Sequence, residues 1–379
     1  MSIKSRLFVE HALKRIERQD VLKKIAFYID SMEMGGANRV VANLTEYFSG
    51  QGYEVILIND ITPRTHIKTY KILSEVKRFY LDENIQYRRS VEKQYKRIYT
   101  LRKVLKEENV DTVVSFMGPP NYRLLLATIG LKIKKVVSVR NDPYREYGGG
   151  IKKIIAKNIF KLADACVFQT NDAAEYFSKA VRRKSQIIFN PVNPKFFQTE
   201  WIGNEKNIAV VGRLQKQKNP VLAVKAFEKI ANEFPEYTMT YYGEGELRDE
   251  LIEYIKKKSL NEQVIIYGKV TDVEKYLSQA SVFVLSSDYE GLPNALMEAM
   301  AVGIPCISTD CPCGGPRSLI QNERQGVLVP CNDIQMLADA MRVLLKNGTL
   351  RSEMSLEEKN RAKKFAPEVI FKQWEEFLQ

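Results

Sequence analysis

The stretch Ala280-Ser-Val-Phe-Val-Leu285, followed closely by Asp288-Tyr-Glu290-Gly291-Leu292-Pro293-Asn294-Ala-Leu-Met-Glu298-Ala, decides the reading of this chain. The first part is a continuous apolar run rich in β-branched residues, the pattern of a strand buried on both faces of a parallel sheet. Gly291 and Pro293 then punctuate a turn, and Pro293 or Asn294 suits the opening of a helix. Glu290 is therefore expected on the loop at the carboxyl end of a strand, with Glu298 about one turn into the following helix. In open α/β sheets, ligands bind at this end of the strands. Helix-start N–H groups there can hold an anion, and each carboxylate can accept a pair of sugar hydroxyls. A diphosphate with a sugar at each end, such as a sugar nucleotide, would satisfy all of these groups. Two solvated surface glutamates are the competing reading, and their spacing alone does not separate the two.

The 379 residues exceed the size at which one hydrophobic core keeps growing, so two domains are expected. From Lys23 onward, short apolar strands alternate with helical stretches, the signature of parallel α/β sheets. In the first half we read strands at Lys24–Ile29, Glu54–Asn59, Thr112–Phe116, Lys135–Val139, Ala165–Gln169 and Gln186–Phe189. Helices are read between them at about Ala37–Ser49, Val91–Glu108, Pro120–Leu131, Ile151–Leu162 and Asn171–Ala180. Asn190-Pro-Val-Asn-Pro194 reads as a stiff linker. A second series opens at Asn207–Val211 and runs through Thr238–Tyr242, Val264–Tyr267, Val282–Leu285, Cys306–Ser308 and Gly326–Val329. The domains are thus expected at 1–194 and 197–364, with an amphipathic helix in 365–379 carrying Ile370, Phe371, Trp374 and Phe377 on one side.

Charge is divided unevenly. Residues 1–200 carry 36 Lys/Arg against 21 Asp/Glu, and residues 201–379 carry 22 against 25. A basic half implies an anionic surface as partner. No nucleic-acid-binding signature accompanies the charge, so no nucleic acid is expected. Between Arg88 and Lys106, basic residues interleave with Tyr87, Tyr95, Ile98, Tyr99 and Leu101, a mix that suits a helix lying on a membrane surface. A solvated helix face competes with that reading. Residues 4–18 form a second basic amphipathic candidate. No run approaches 18 apolar residues and the amino terminus lacks a leader pattern, so neither a transmembrane helix nor a secretory signal is expected. Cys306, Cys311, Cys313 and Cys331 lack the paired spacing of structural zinc sites and read as reduced, mostly buried thiols.

Several further loops follow strands. Gly35-Gly36 precedes a helix, Gly212-Arg213 is followed by Lys218-Asn219-Pro220, Gly243-Glu-Gly245 follows Tyr242, and Gly268-Lys269-Val270 follows Tyr267. Arg213 and Lys218 can neutralise a diphosphate and the charge that grows on it as a leaving group. Each glycine alone is also the ordinary residue of a turn.

Taken in order, these motifs and Glu290-x7-Glu298-Ala-Met-Ala resemble the retaining GT-B glycosyltransferases of family 4 over nearly all of residues 24–379. The tail Asp310-Cys-Pro-Cys-Gly-Gly-Pro316-Arg-Ser is similar to the bacterial subgroup that builds capsule, exopolysaccharide and protein-glycan repeats on lipid carriers. The resemblance implies two doubly wound, Rossmann-like α/β domains facing across a cleft, with the last helix packing back on the first domain. It implies transfer of a hexose or N-acetylhexosamine from a UDP-sugar to a glycan on a polyprenyl diphosphate, retaining anomeric configuration, without a metal or other cofactor. The setting implied is the cytoplasmic side of the plasma membrane, with peripheral association.

By the same resemblance Arg213 and Lys218 bind the diphosphate, Glu290 contacts the donor sugar and Glu298 the ribose. Backbone at Gly36 and around Gly291, Leu292, Pro293 and Asn294 meets the diphosphate and sugar, while Gly212, Gly243, Gly245, Gly268 and Lys269 complete the donor side. The chain departs from the family at a histidine common after the strand ending in Val139. Only His11 and His66 occur, so Arg140 and Asn141 are candidate substitutes, and Asp142 or Glu146 is a candidate base that would open an inverting route. A silent sugar-nucleotide-binding scaffold subunit and a sugar-nucleotide epimerase are the alternatives.

Overall fold

The computed structural model describes residues 23–62, 68–82 and 90–379. His11, His66, Arg88, Arg89 and the segment 4–18 lie outside the described residues. The chain forms two sheets. Strands β1 (Lys24–Ile29), β2 (Glu54–Asn59), β3 (Lys77–Tyr80), β4 (Thr112–Phe116), β5 (Lys134–Ser138), β6 (Ala165–Phe168) and β7 (Ser185–Ile187) assemble in the order β3-β2-β1-β4-β5-β6-β7. Strands β8 (Glu205–Val211), β9 (Thr238–Tyr242), β10 (Val264–Gly268), β11 (Ala280–Leu285), β12 (Cys306–Thr309) and β13 (Val327–Val329) follow in the order β10-β9-β8-β11-β12-β13. The registered pairings are parallel, so each sheet is doubly wound about its first strand. The strands expected from apolar runs are present within one to two residues.

Strand β3 escaped the sequence reading. Lys-Arg-Phe-Tyr at the sheet edge places two exposed charges before two half-buried rings and offers no apolar run. The stretch expected as one helix over Asn171–Ala180 is two, Asn171–Glu175 and Lys179–Arg182, because the Ser178 side chain accepts from the Val181 N–H and starts a new turn. The expected linker is partly ordered as a helix, Pro194–Gln198, with the Asn193 side chain as its cap.

By packing, the chain divides into two compact units. One comprises residues up to Ser138 together with Ile159–Ala165, and the other comprises Val139–Asn158 and Cys166–Gln379. In the second unit, Ile208, Val210, Phe227, Met239, Val282 and Val284 build the core on one side of the six-stranded sheet. Phe283, Leu285, Leu296, Met300 and Cys306 build it on the other. The C-terminal helix Pro367–Leu378 buries Ile370 and Trp374, and the Arg140 guanidinium lies 5.5 Å from the Trp374 ring.

The first unit holds a buried ionic network at the carboxyl ends of β1, β2 and β3. Arg123 donates to the Tyr28 hydroxyl at 2.7 Å and pairs with Asp60, while Tyr28 donates to Asp60 at 2.7 Å. Arg97 pairs with Asp82 and lies 3.2 Å from Asp60. Burial pushes the Asp60 carboxyl up, and the adjacent Arg123 and the Tyr28 hydroxyl pull it back down. Removing one member strands a charge in low dielectric. Arg123→Ala is therefore expected to destabilise the protein by about 3 kcal/mol or more, read as the shift of a denaturant midpoint.

Candidate active site

The order of the second sheet reverses between β8 and β11, and the two loops leaving those strands diverge to leave a crevice. One loop runs from Gly212 to the helix Pro220–Glu228, and the other from Ser286 to the helix Asn294–Val302. A small cavity lined by Gly212, Arg213, Lys218 and Ser286 opens there.

The two loops are tied together by hydrogen bonds. Ser286 donates to the Lys218 and Asn219 carbonyls at 3.1 and 2.9 Å. Asp288 N–H donates to the Gln217 carbonyl at 2.9 Å, and the Asn219 amide donates to the Asp288 carboxylate at 2.8 Å. Asn219 holds a left-handed backbone, which Asn tolerates, and caps the helix that follows. This turn is what swings Lys218 across the crevice.

Glu290 is the centre of the cluster and is nearly buried. It forms an ion pair with Lys218, accepts from the Ser287 hydroxyl at 2.7 Å and lies 3.4 Å from the Gln217 amide. Its own N–H donates to the Pro312 carbonyl at 3.0 Å, which brings the Asp310–Pro316 tail beneath the loop. Arg213 stands exposed at the end of β8 with no ion pair among the described residues. Glu298 is buried on the first turns of the helix Asn294–Val302. The cluster thus presents one cation unengaged by acid, one cation held by a carboxylate, and a helix start: groups suited to an anion carrying a polyol.

The glycines serve backbone proximity. A Cβ on Gly243 would overlap the Gly212 carbonyl oxygen, and one on Gly245 the Leu214 carbonyl. These residues therefore let the loops after β8 and β9 lie against each other. Gly268 has φ +92° with Glu244 beside it, and Lys269 is exposed at the edge. Gly291 lies against the Arg140 carbonyl and the Asn141 Cα, and Gly315 against the Gly291 carbonyl. In the first unit, Gly36 is exposed and begins the helix Gly36–Gly50 directly after β1.

Arg140 and Asn141 reach the Gly291 loop through backbone, and the side chains of Arg140, Asn141 and Asp142 are engaged elsewhere. The Arg140 guanidinium is buried, donates to the Ile188 carbonyl at 3.3 Å and faces Trp374. Burial pulls it down to about 9, so it stays charged at neutral pH. Asp142 caps the helix Pro143–Tyr147 by accepting the Tyr144 N–H at 2.9 Å, and Asn141 accepts the Asp142 N–H at 2.9 Å. Five free cysteines are present, four of them buried. Burial, chiefly, raises the thiols, with Cys313 at about 11 and Cys166 at about 12. Among the described residues, no group of three or more His, Cys, Asp or Glu could hold a metal ion.

Sequence reading missed Gln217, Ser287 and Asn190. Asn190 accepts from the Gln169 amide at 2.8 Å and donates to the Asn294 side chain at 2.7 Å, linking the end of the first sheet to the helix of Glu298. The prolines around Asn190 masked it as linker. Arg145 was also missed, and its guanidinium stacks 4.7 Å over the Tyr289 ring next to Glu290.

The comparisons with known proteins agree with this geometry. Residues 34–196 match Glycosyltransferase Family 4, and residues 192–363 match Glycosyl transferases group 1. A Campylobacter jejuni enzyme is 30% identical over 93% of this chain and 97% of its own length; it is named GalNAc-alpha-(1->4)-GalNAc-alpha-(1->3)-diNAcBac-PP-undecaprenol alpha-1,4-N-acetyl-D-galactosaminyltransferase. The amylovoran biosynthesis glycosyltransferase AmsD of Erwinia amylovora is 22% identical over 94% of this chain and 99% of its own. Among solved structures, Anabaena HepE in complex with UDP and glucose superposes with a TM-score of 0.77 at 16% identity, covering 94% and 99% of the two chains. The lipopolysaccharide outer core galactosyltransferase WaaB gives 0.75 at 21% identity, covering 93% and 98%. The two parallel-sheet domains are those of the GT-B fold. The chain belongs to the group 1 and family 4 glycosyltransferases and is itself a glycosyltransferase.

The close approach at Gly291 generates a test. Gly291→Ala must push the Glu290 loop away from the Arg140 carbonyl, at a cost of about 1–3 kcal/mol. The expected result is a lower melting temperature together with loss of transfer, measured on the same preparation.

Proposed function

We propose that the protein moves a hexose or N-acetylhexosamine from a UDP-sugar to a glycan carried on a polyprenyl diphosphate, with retention, during assembly of a bacterial surface polysaccharide or glycan. The observation that carries this reading is the ion pair of Lys218 with Glu290 beside the exposed Arg213 at the switch point of the second sheet. The name of the Campylobacter relative, which specifies an undecaprenyl-diphosphate glycan, supports the acceptor class. The UDP in the HepE structure supports the donor class.

In this reading Arg213 and Lys218 contact the diphosphate and disperse the charge that develops as the anomeric C–O bond to UDP breaks. Binding the donor draws Lys218 partly from Glu290 to phosphate, and Glu290 turns its acceptor oxygens to the donor sugar hydroxyls. Gln217 and Ser287 keep that carboxylate in place. Glu298 receives the ribose hydroxyls, and the N–H groups that open the helix Asn294–Val302, with backbone at Gly291, face the diphosphate. The acceptor hydroxyl forms the new glycosidic bond, and its proton passes to the departing phosphate oxygen. The engagement of Asp142 as a helix cap supports this route over one in which Asp142 acts as base.

Two cations and a helix start take the part that a divalent ion plays in other transferases. Transfer is expected to persist in EDTA, and strict dependence on added manganese or magnesium would remove that element of the reading. With a panel of UDP-, GDP- and ADP-sugars, slow hydrolysis is expected with a UDP-sugar alone. Arg213→Ala should lower turnover about a hundredfold or more, and Glu290→Ala should lose turnover while largely keeping UDP affinity. UDP binding with no transfer to any lipid-linked acceptor would favour a scaffold role, and conversion of the donor without acceptor an epimerase.

We place the protein at the inner face of the plasma membrane. Among the described residues, no helix is long and apolar enough to cross a membrane. The helix Ser90–Glu107 exposes Val91, Tyr95 and Tyr99 one turn apart, with Lys96, Lys103 and Lys106 also exposed. Two of its arginines do not contribute: Arg97 is buried against Asp82 and Asp60, and Arg102 donates to the Ala127 and Ile129 carbonyls at 2.8 and 2.7 Å. Anionic lipid attracts each well-placed Lys or Arg by about 1 kcal/mol, so a handful suffices for reversible docking. Changing Arg88, Arg89, Lys96 and Lys103 together to Glu is expected to release the protein from anionic vesicles without altering UDP binding. Vesicle binding undiminished in that variant, or undiminished in wild type at high salt, would refute the electrostatic account.

A further inference from the structure

The helix Gly150–Ile159 carries an apolar face that nothing in the described structure covers. Ile151, Ile154 and Ile155 are 76%, 59% and 48% exposed, whereas Ala156 is fully buried. At about 100° per residue, positions 151, 154, 155 and 158 fall on one face, so Asn158, whose amide donates to the Ile154 carbonyl at 3.0 Å, shares it with the three isoleucines, and Ile159 lies at its margin. Lys152 flanks that face on one side and Lys157 on the other. Lys153, on the opposite side of the helix from the isoleucines, donates to the hydroxyl of the exposed Tyr144 at 2.7 Å and lies over the Tyr144 and Tyr176 rings, which ties the helix to the segment before it. From Gly148 to Ala163 the chain has four lysines and no acidic residue.

Three neighbouring isoleucines in water are costly to leave exposed, at about 25 cal/mol per Å² of apolar surface. Their charge setting indicates what covers them. A protein partner of mixed surface charge does not require a segment purged of acid. An anionic bilayer does: its headgroups attract the flanking lysines, whose stems allow the charge to stay at headgroup level while the isoleucines enter the acyl boundary.

We propose that the helix Gly150–Ile159 is an interfacial membrane anchor, inserting Ile151, Ile154 and Ile155 into the leaflet of an anionic bilayer between Lys152 and Lys157. It adds an apolar, salt-resistant component to the electrostatic contact assigned above to the helix Ser90–Glu107, and it rests on the reading that the enzyme works at a lipid-linked acceptor. The helix follows directly on the Arg140–Tyr147 segment, whose backbone lies against Gly291. Membrane contact and the donor loop are thus close along one stretch of chain.

The test is flotation of the full chain with phosphatidylglycerol vesicles, with phosphatidylcholine vesicles as the neutral arm, at low and high salt. The variant is Ile151→Ser/Ile154→Ser/Ile155→Ser, which alters only exposed positions. It is expected to bind phosphatidylglycerol at least about tenfold more weakly while keeping UDP affinity and melting temperature. In a second measurement, Ile154→Trp should show a blue-shifted emission on adding those vesicles, over the unchanged signal of Trp201 and Trp374. Equal flotation of the triple variant and wild type, no flotation of wild type, an unshifted Ile154→Trp spectrum, or a triple variant changed only in self-association would each overturn the proposal. Transfer to polyprenyl-diphosphate and short soluble acceptors keeps the two readings apart. Vesicle binding lost in the variant, with no transfer to any lipid-linked acceptor by wild type, would leave the anchor standing and remove the substrate assignment.

Discussion

The reversal of strand order between β8 and β11 is the constraint on which the site depends. In a doubly wound parallel sheet, the chains leaving these two central strands must turn to opposite faces, and no helix can fill the crevice they leave. Whatever residues begin those turns are presented together at the carboxyl edge of a sheet whose central strand β11 is buried throughout. Here they are Gly212–Lys218 on one side and Ser286–Asn294 on the other. The hydrogen bonds from Ser286 and Asp288 to the opposite loop fix the separation, so Lys218 and Glu290 meet across a gap set by backbone.

That meeting has an energetic logic. A carboxylate as buried as Glu290 needs a counter-charge and hydrogen-bond donors, and Lys218, Ser287 and Gln217 supply them. An anionic ligand would compete for Lys218, and the released carboxylate would need new donors, such as hydroxyls. Opposite charges held in this way would favour a ligand bearing both phosphate and polyol over one bearing phosphate alone. The cysteines nearby take no part in this exchange; burial holds their thiols in the neutral form.

The first unit spends basic residues differently. Arg97 and Arg123 are consumed by the buried Asp60–Asp82 network, which pins the helix Ser90–Glu107 to the strand ends. With its arginines drawn inward, that helix turns Tyr95, Tyr99 and Lys103 to solvent. The helix Gly150–Ile159, in the second unit up to Asn158, likewise engages Lys153 with two tyrosines while its isoleucines face outward. Internal pairing therefore selects which of many basic residues remain for the surface, and a simple sum of charge along the sequence overstates that number.

The sequence by itself determined the strands with continuous apolar runs, the alternation with helices, and the loops that follow them, because hydrophobic period and glycine punctuation are local properties. It did not reveal β3, an edge strand whose burial comes from only one neighbour, nor the break at Ser178, where a side-chain cap overrides helical continuity. Of the candidate site, the placement of Arg213, Lys218 and Glu290 on loops after strands, and of Glu298 in the helix that follows, was legible because apolar runs and turn residues are local. Only the tertiary structure joined Lys218 to Glu290, recruited Ser287, Gln217 and Asn190, and turned the Arg140 side chain inward to Trp374. It likewise decided that Gly243 and Gly245 answer to the Gly212–Leu214 backbone. Such contacts link residues tens of positions apart, and which side chain faces the crevice is fixed by loop closure and packing, quantities no local pattern carries.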